Sequence, residues 1–252
     1  MALSNCKHSA VPRPKHMNKN PTSSDNGQGD PSERWFQRPP WRNTSDICHL
    51  GVDSIETYIA TPKNNKTPEK AIIFLTDIFG IFSNSKLLAD EFAKNGYLTI
   101  IPDLFQGDQI STEVTDSGKA DLPAWLPKHQ TVNVEPWVAA SIKYALETLA
   151  IKKLGAVGYC FGAKYVARFF EDHQIDVGFM AHPSFVTHEE LNTIEGPLSI
   201  AAAETDSIFT TKLRHESEEI LIKGGLPWQI NLFSGVKHGF AVRGDPSIPS
   251  QK

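Results

Sequence analysis

The sequence predicts an α/β fold in which helices flank a mostly parallel sheet. From residue 49 onward, short apolar runs alternate with segments whose apolar residues recur at helical spacing. This alternation is typical of parallel strands joined by crossover helices. Several of the runs are apolar at every position, as expected of central strands that are covered on both faces. We therefore predict one α/β domain over residues 49–252.

Seven short apolar runs predict the strands. These cover residues 55–60, 71–78, 97–105, 154–159, 177–182, 198–204 and 228–233.

Three segments with helical periodicity predict helices at 85–96, 136–153 and 211–225. The first and third close in Gly, and the second opens with Pro136, which fits the first turn of a helix. A fourth helix is predicted after Cys160. Residues 106–133, in which Gly, Asp, Ser, Thr and Pro recur, predict a long irregular segment that forms a lid or substrate wall.

The first 48 residues are rich in Asn, Ser, Pro and Lys, with aromatic residues confined to "RWFQRPPW". Such a composition buries too little apolar surface to offset the loss of chain entropy. We predict a polar, disordered extension over residues 1–48.

Charge and composition exclude several classes of function. The net charge is −4 and no basic block occurs, which argues against nucleic acid or an anionic membrane as the main partner. No run approaches the ~18 apolar residues of a membrane span, and the N-terminus lacks the apolar core of a signal peptide. The sequence predicts a cytoplasmic protein with a small-molecule partner.

Three cysteines, at positions 6, 48 and 160, form an odd and sparse set without metal-ligand spacing. This predicts neither a disulfide framework nor a zinc site. A reducing compartment fits the set best.

Cys160 stands in the string "GYCFG", between the predicted strand 154–159 and the predicted helix. This is the strand, sharp turn and helix of a nucleophile elbow, in which small flanking residues are required because side chains there would collide with the adjacent strand and helix. A helix N-terminus also favours a thiolate over a thiol. We predict that Cys160 is the nucleophile, with a buried structural cysteine as the alternative.

An acid and a base are found where this arrangement needs them. α/β-hydrolases present nucleophile, acid and histidine in that chain order, with the last two on loops after later strands. Asp206 follows one predicted strand and His238 follows the next. Glu204 is the rival acid and His182, at the end of the strand 177–182, is the rival base. His182 is predicted to line the site instead, because it precedes Asp206 in the chain.

These residues resemble the dienelactone hydrolase family of the α/β-hydrolase superfamily, over roughly residues 50 to 245. The matching strings are "LTDIFGIF", "IPDLFQGD", "GYCFGAKY", "AHPSF", "ETD" and "KHGFAVRGD". The resemblance implies a triad of Cys160, Asp206 and His238, and hydrolysis of small lactones or esters through an acyl-cysteine. It implies no metal and no organic cofactor. It also implies an oxyanion hole from the backbone N–H groups of Ile78 and Phe161, which the elbow geometry predicts independently.

Three features stand out against the family pattern. Asp77 occupies the place of a glutamate that influences the resting thiol in the family, so its thiol-tuning role is expected to be altered. The sequence lacks the apolar-periodic helix that usually follows the histidine, which predicts an exposed apolar patch. Arg243 matches an arginine that grips substrate carboxylates, with a solvated surface side chain as the alternative, and it is a candidate substrate-binding residue together with His182.

Two alternatives stay open at this point. The same triad would serve an acyl transferase or a lactone-forming tailoring enzyme, and a non-catalytic ligand-binding pseudoenzyme is the alternative from another class. The oligomeric state is expected to be a monomer or a homodimer.

Overall fold

The computed structural model describes residues 45–50, 55–63 and 67–244. Two predictions fall wholly or partly outside these residues: residues 1–44 of the disordered extension predicted over 1–48, and the lack of a closing helix after residue 244. Within the described part of the chain, no helix combines the length and apolar character needed to cross a bilayer.

Eight strands form one sheet in the order β1-β2-β4-β3-β5-β6-β7-β8. Strands β1 and β2 pair antiparallel, β2 pairs antiparallel with β4, and the other neighbours are parallel. The predicted α/β class with a mostly parallel sheet is therefore confirmed. The strands are β1 (Ser45–Leu50), β2 (Ile55–Ala60), β3 (Lys70–Leu75), β4 (Leu98–Pro102), β5 (Lys153–Tyr159), β6 (Val177–Ala181), β7 (Leu198–Thr205) and β8 (Trp228–Lys237).

Strand β1 was not predicted, and it begins four residues before the predicted domain boundary at residue 49 (49 − 45). It pairs with β2 from Ser45 opposite Ala60 to Leu50 opposite Ile55. The strand lies at the edge of the sheet, where the need for apolar residues on both faces is weakest. Only half of its six residues are apolar, so it leaves no continuous apolar run in the sequence.

The helices cover both faces of this sheet. They are α1 (Ser83–Lys94), α2 (Thr112–Asp116), α3 (Leu122–Trp125), α4 (Thr131–Lys143), α5 (Ala163–Arg168), α6 (His188–Asn192), α7 (Thr211–Gly224) and α8 (Phe240–Arg243).

Helix α7 ends as predicted, at a left-handed Gly225 with φ of 70°. Two helix predictions were wrong. Helix α4 begins at Thr131 and carries Pro136 inside it, so this proline does not open the helix. Residues 106–133 are also not irregular throughout, since α2, α3 and the start of α4 lie there. Short helices of this kind lack the periodic length that reveals a helix in sequence.

The sheet separates two apolar cores. Helices α1 and α8 contribute Ala89, Ala93 and Val242 to one core, and α4, α5 and α7 contribute Val138, Val166 and Leu221 to the other. This layering brings the carboxyl ends of β3, β5, β6, β7 and β8 to one edge of the sheet, where parallel strands of an α/β fold present their functional loops.

The outer strand β8 is poorly covered. Leu232 and Phe233 are 48% and 45% exposed, which places apolar surface at this end of the sheet.

Candidate active site

Cys160 occupies the turn between β5 and α5 in a strained backbone conformation. Its φ is +51°, in the left-handed region that residues with a Cβ rarely adopt. A Cβ on Gly158 would come within 2.7 Å of the Cα of Ala163, and one on Gly162 within 2.2 Å of the carbonyl oxygen of Leu75. The predicted need for glycines around the cysteine is therefore confirmed as a close approach of backbone to backbone.

His238 lies against the thiol. Its Nε2 is 3.2 Å from Cys160 Sγ, and its Nδ1 is 2.8 Å from Asp206 Oδ2. The other oxygen of Asp206 accepts hydrogen bonds from the backbone N–H groups of Ile208 and Phe209, at 2.8 and 2.9 Å. The three residues predicted from chain order therefore meet in one continuous chain of contacts.

The contacts favour an ionised Asp206 and a protonated His238. Burial disfavours ionisation of Asp206, but the hydrogen bonds from His238 and from the backbone outweigh it, so its pKa lies below the ordinary value. Burial also disfavours the imidazolium of His238. The hydrogen bonds to Asp206 and Cys160 again outweigh that cost, and the pKa of His238 is raised to about 9. The geometry stabilises a protonated His238 between two acidic partners.

The rival acid lies elsewhere. Glu204 is exposed, and its carboxylate accepts a hydrogen bond from the backbone N–H of Gly235 at 2.6 Å.

His182 lies beside the three residues without joining their chain of contacts. Its ring centre is 4.9 Å from that of His238, and the side chain is fully buried, with φ of +38°. Neither ring nitrogen has a hydrogen-bond partner among the described residues. Burial, helped by the charge of His238, lowers the pKa of His182 to about 3, so its imidazole is neutral. The position fits the predicted role in the wall of the site.

Ser184 is the residue that sequence reasoning missed. Its hydroxyl is 3.3 Å from Cys160 Sγ and 3.4 Å from His238 Nε2, and its backbone N–H donates to the Cys160 carbonyl at 3.0 Å. The residue is fully buried. The sequence could have indicated Ser184 only through its position. The residue follows β6 in the string "AHPSF", and the carboxyl end of β6 lies at the same edge of the sheet as Cys160.

The two predicted oxyanion donors lie on adjoining segments. Phe161 is in the first turn after Cys160, where N–H groups have no acceptor in a preceding turn. Ile78 is in the loop after β3, which turns back through a hydrogen bond from Gly80 N–H to the Asp77 carbonyl. Among the described residues, the N–H of Ile78 has no acceptor. The role of these two N–H groups as an oxyanion hole stays a prediction.

Asp77 pairs with Arg243 and not with the thiol. One carboxylate oxygen accepts from the backbone N–H of Phe79 at 3.1 Å, and the other is 3.5 Å from Arg243 Nε. Burial raises the pKa of Asp77 to about 6, against the opposing effect of Arg243 and the Phe79 N–H. Among the described residues, no hydrogen bond joins Asp77 to Cys160, so the expected thiol-tuning contact is not made directly.

Arg243 is held at the rim of the site. Its guanidinium lies over the ring of Phe79, 4.7 Å from the centroid, and its side chain is 30% exposed. A Cβ on Gly239 would come within 2.5 Å of the guanidinium, so this glycine makes room for it.

Phe105, which directly precedes the segment 106–133, and Trp125 within it pack against the elbow. Phe105 lies 5.2 Å from Phe161 and 4.9 Å from Trp125, and the Trp125 indole N–H donates to the Asp108 carbonyl at 2.6 Å. Trp125 therefore lies beside Phe161, with the two ring centres 5.8 Å apart, and the predicted role of the segment as a lid or substrate wall stays a prediction.

The comparisons with known proteins agree with this geometry. The sequence model of the dienelactone hydrolase family matches residues 55–252. The chain belongs to the dienelactone hydrolase family.

Two relatives of this chain are named as hydrolases. Hydrolase pyvD of Aspergillus violaceofuscus is 48% identical over 76% of this chain and 77% of its own length. Hydrolase tropI of Talaromyces stipitatus is 47% identical over 77% of this chain and 79% of its own length. These similarities identify the chain as a hydrolase-family enzyme with a small-molecule substrate.

Structural comparison confirms the fold. The crystal structure of a candidate dienelactone hydrolase from Klebsiella pneumoniae superposes with a TM-score of 0.67, covering 83% of this chain and 93% of that one at 19% identity.

Proposed function

We propose that this chain hydrolyses small esters or lactones through an acyl-cysteine intermediate. The observation that carries the proposal is the unbroken chain of contacts from Asp206 through His238 to a cysteine at the tip of an elbow. A nucleophile, a base within hydrogen-bond reach and a group that orients the base are the parts that nucleophilic catalysis requires.

The first half-reaction forms the acyl-enzyme. The Cys160 thiolate attacks the carbonyl carbon, and the carbonyl oxygen becomes an oxyanion that receives the N–H groups of Ile78 and Phe161. Each such donor contributes about 3 kcal/mol of transition-state stabilisation. The C–O bond then breaks, and the leaving oxygen takes the proton of the His238 imidazolium.

The second half-reaction releases the acid. Neutral His238 takes a proton from water, and the resulting hydroxide attacks the thioester carbonyl. The C–S bond breaks, the thiolate returns, and His238 is again an imidazolium facing it. Asp206, held by two backbone N–H groups, keeps the ring oriented through both steps.

Arg243 and Asp77 bear on the choice of substrate. Arg243 is partly exposed and already paired with a buried carboxylate, so a substrate carboxylate at the rim would meet a cation held in place. We therefore propose that the preferred substrates carry an acidic group beside the ester or lactone, with His182 in the apolar wall.

The intact contacts of Cys160, His238 and Asp206 favour an enzyme over a ligand-binding pseudoenzyme. Acyl transfer would use the same first half-reaction with another nucleophile in place of water. Location in the cytoplasm and a monomeric or homodimeric state are proposed from composition alone.

The proposal is tested by turnover of aryl esters and small lactones, with and without an acidic substituent. Replacement of Cys160 by Ala is expected to lower kcat/KM on the order of 10⁴-fold or more. The Cys48→Ser variant is the matched control and is expected to keep its activity. Full turnover in the Cys160→Ala variant, or none by the wild-type chain across the panel, would contradict the proposal.

A further inference from the structure

We propose that Cys160, His182 and His238 form a binding site for Zn²⁺, which blocks the active site reversibly. The sulfur and one nitrogen from each ring lie within 4.8 Å of one another. One thiolate and two imidazoles are a donor set that zinc takes in proteins, with a fourth position left for water.

The spacing requires little movement. Tetrahedral zinc, with Zn–S near 2.3 Å and Zn–N near 2.0 to 2.1 Å, places its ligand atoms about 3.3 to 3.6 Å apart. His238 Nε2 and Cys160 Sγ are already 3.2 Å apart. The three ligand atoms lie within 4.8 Å of one another, so a movement of at most about 1.2 to 1.5 Å brings them to the spacing that zinc requires.

The ring of His182 supports the metal site independently of the distances between the ligand atoms. It is fully buried at the site, and neither of its ring nitrogens has a partner among the residues that the structure describes. A buried polar group without a hydrogen-bond partner destabilises the fold, and such groups are uncommon in proteins. A bound cation would satisfy one of these nitrogens.

The surroundings match a zinc site in a second respect. Protein histidines that bind zinc usually donate their other ring N–H to a carboxylate, which fixes the ring. His238 has this partner in Asp206 at 2.8 Å, and Asp206 is fixed in turn by backbone N–H groups. The thiolate and imidazole donors also select zinc over Mg²⁺ and Ca²⁺, which prefer oxygen ligands.

Binding and catalysis exclude each other, because they use the same lone pairs. The Cys160 sulfur bonded to zinc cannot attack a carbonyl, and the zinc-bound Nε2 of His238 cannot exchange a proton. The single proton that Cys160 and His238 share between them leaves to solvent when zinc binds, and no atom is oxidised or reduced.

The test is a titration of the full chain with Co²⁺ and then Zn²⁺, in a background where Cys6 and Cys48 are replaced by Ser. We expect one Co²⁺ per chain, a thiolate-to-cobalt charge-transfer band, and loss of that band on addition of Zn²⁺. Zn²⁺ is expected to inhibit ester hydrolysis over the same concentration range, EDTA to restore it, and Mg²⁺ to have no effect.

Two His182 variants decide whether the third ligand takes part. The His182→Gln and His182→Phe variants are expected to bind Zn²⁺ on the order of 100-fold more weakly. The surface variant His188→Gln is the matched control, with unchanged affinity. Wild-type affinity in folded His182 variants, or cobalt binding without the charge-transfer band, would overturn the site.

X-ray absorption of the zinc-loaded wild-type chain identifies the ligand atoms of the zinc ion without the use of a variant. One sulfur and two imidazole nitrogens support the site, and any other set contradicts it. The spectroscopic titration needs no turnover, so a chain that binds cobalt and hydrolyses nothing would refute the proposed function and leave the metal site standing.

Discussion

Two buried aspartates at the same edge of the sheet have opposite electrostatic behaviour. The side chains of Asp206 and Asp77 are each only 1% exposed. The pKa of Asp206 nevertheless lies below its ordinary value, whereas that of Asp77 is raised to about 6.

The difference comes from the number and quality of the donors that each carboxylate meets. Asp206 accepts two backbone N–H groups and the ring of His238, all within 2.9 Å. Asp77 accepts one N–H, and its second oxygen faces Arg243 at 3.5 Å without a hydrogen bond within the described chain. Asp77 is also the more deeply buried of the two, and the result is a fixed anion behind His238 and a strained one beside Arg243.

The largest expected effect is on Asp206. In the Asp206→Asn variant, an amide replaces the anion that fixes and stabilises the His238 imidazolium. We expect kcat/KM to fall by about 10⁴-fold, as a comparable change does in serine triads. Steady-state kinetics on an aryl ester measures the loss.

Glu204→Gln is the matched control for that change, because Glu204 lies two positions earlier and is exposed. Its activity is expected to stay within about 3-fold of wild type, since exposed charges interact weakly with their partners. A loss in this variant as large as that in Asp206→Asn would show that the two carboxylates have been assigned the wrong roles.

The second prediction concerns the free energy of unfolding. Replacement of Asp77 by Asn is expected to raise it, and replacement of Asp206 by Asn is expected to lower it. The folded chain holds a proton on Asp77 up to pH about 6, whereas an unfolded chain releases it near 3.8. Stability is therefore lost as the pH rises from 3.8 to 6, and above that range the cost persists. At pH 7.5, Asp77→Asn is expected to raise the free energy of unfolding by on the order of 2 to 3 kcal/mol.

Asp206→Asn should have the opposite effect, because a carboxylate with a lowered pKa stabilises the fold above its unfolded value. Urea unfolding at pH 7.5 and pH 4 checks both variants. The difference in free energy of unfolding between each variant and the wild type is expected to be smaller at pH 4 than at pH 7.5. Destabilisation by Asp77→Asn at pH 7.5 would contradict the contrast between the two sites.

A smaller effect is expected at Ser184, whose hydroxyl lies against Cys160 and His238. Its hydroxyl can donate to the Cys160 sulfur at 3.3 Å, and a hydrogen bond to a charged group contributes about 1.5 to 3 kcal/mol. Ser184→Ala should therefore slow alkylation of Cys160 by iodoacetamide by about 10- to 100-fold at neutral pH. Ser184→Thr, which keeps the hydroxyl, is the comparison variant, and equal rates in the wild type and Ser184→Ala would dismiss the contact.

The smallest effect is expected at Arg243, on the Asp77 side. A lysine keeps the charge but loses the planar, bidentate donors. Arg243→Lys should raise KM about 5-fold for a substrate with a carboxylate and leave that of a neutral ester unchanged. An equal change for both substrates would mean that Arg243 supports the fold through Asp77 and does not bind substrate.

The sequence was sufficient to predict the parts of the molecule that depend on local pattern. Strand β2 and helix α7 lie within one residue of their predicted bounds, because periodicity and Gly caps are local signals. Cys160, Asp206 and His238 were found from chain order and strand ends, and the structure brings them into contact.

Contacts that depend on packing could not be predicted. Ser184 lies at the site in a loop where His182 and Phe185 both have a positive φ. Residue propensities do not predict a left-handed backbone at either of these residue types. The Arg243 contact with Asp77 requires the turn at Gly239 and the short helix α8, both too short to leave a periodic pattern. Pro136 gave a false helix start, because a proline at the first helical position is a tendency and not a requirement.

Intact mass spectrometry tests the central claim most directly. The chain is exposed to a panel of lactones and activated esters, quenched with acid and digested to locate any adduct. The account predicts one acyl group on Cys160 in the wild-type chain, which accumulates in the Asp206→Asn variant and is absent from Cys160→Ala. An adduct on another residue, or turnover with no adduct under any condition in which deacylation is slowed, would contradict it.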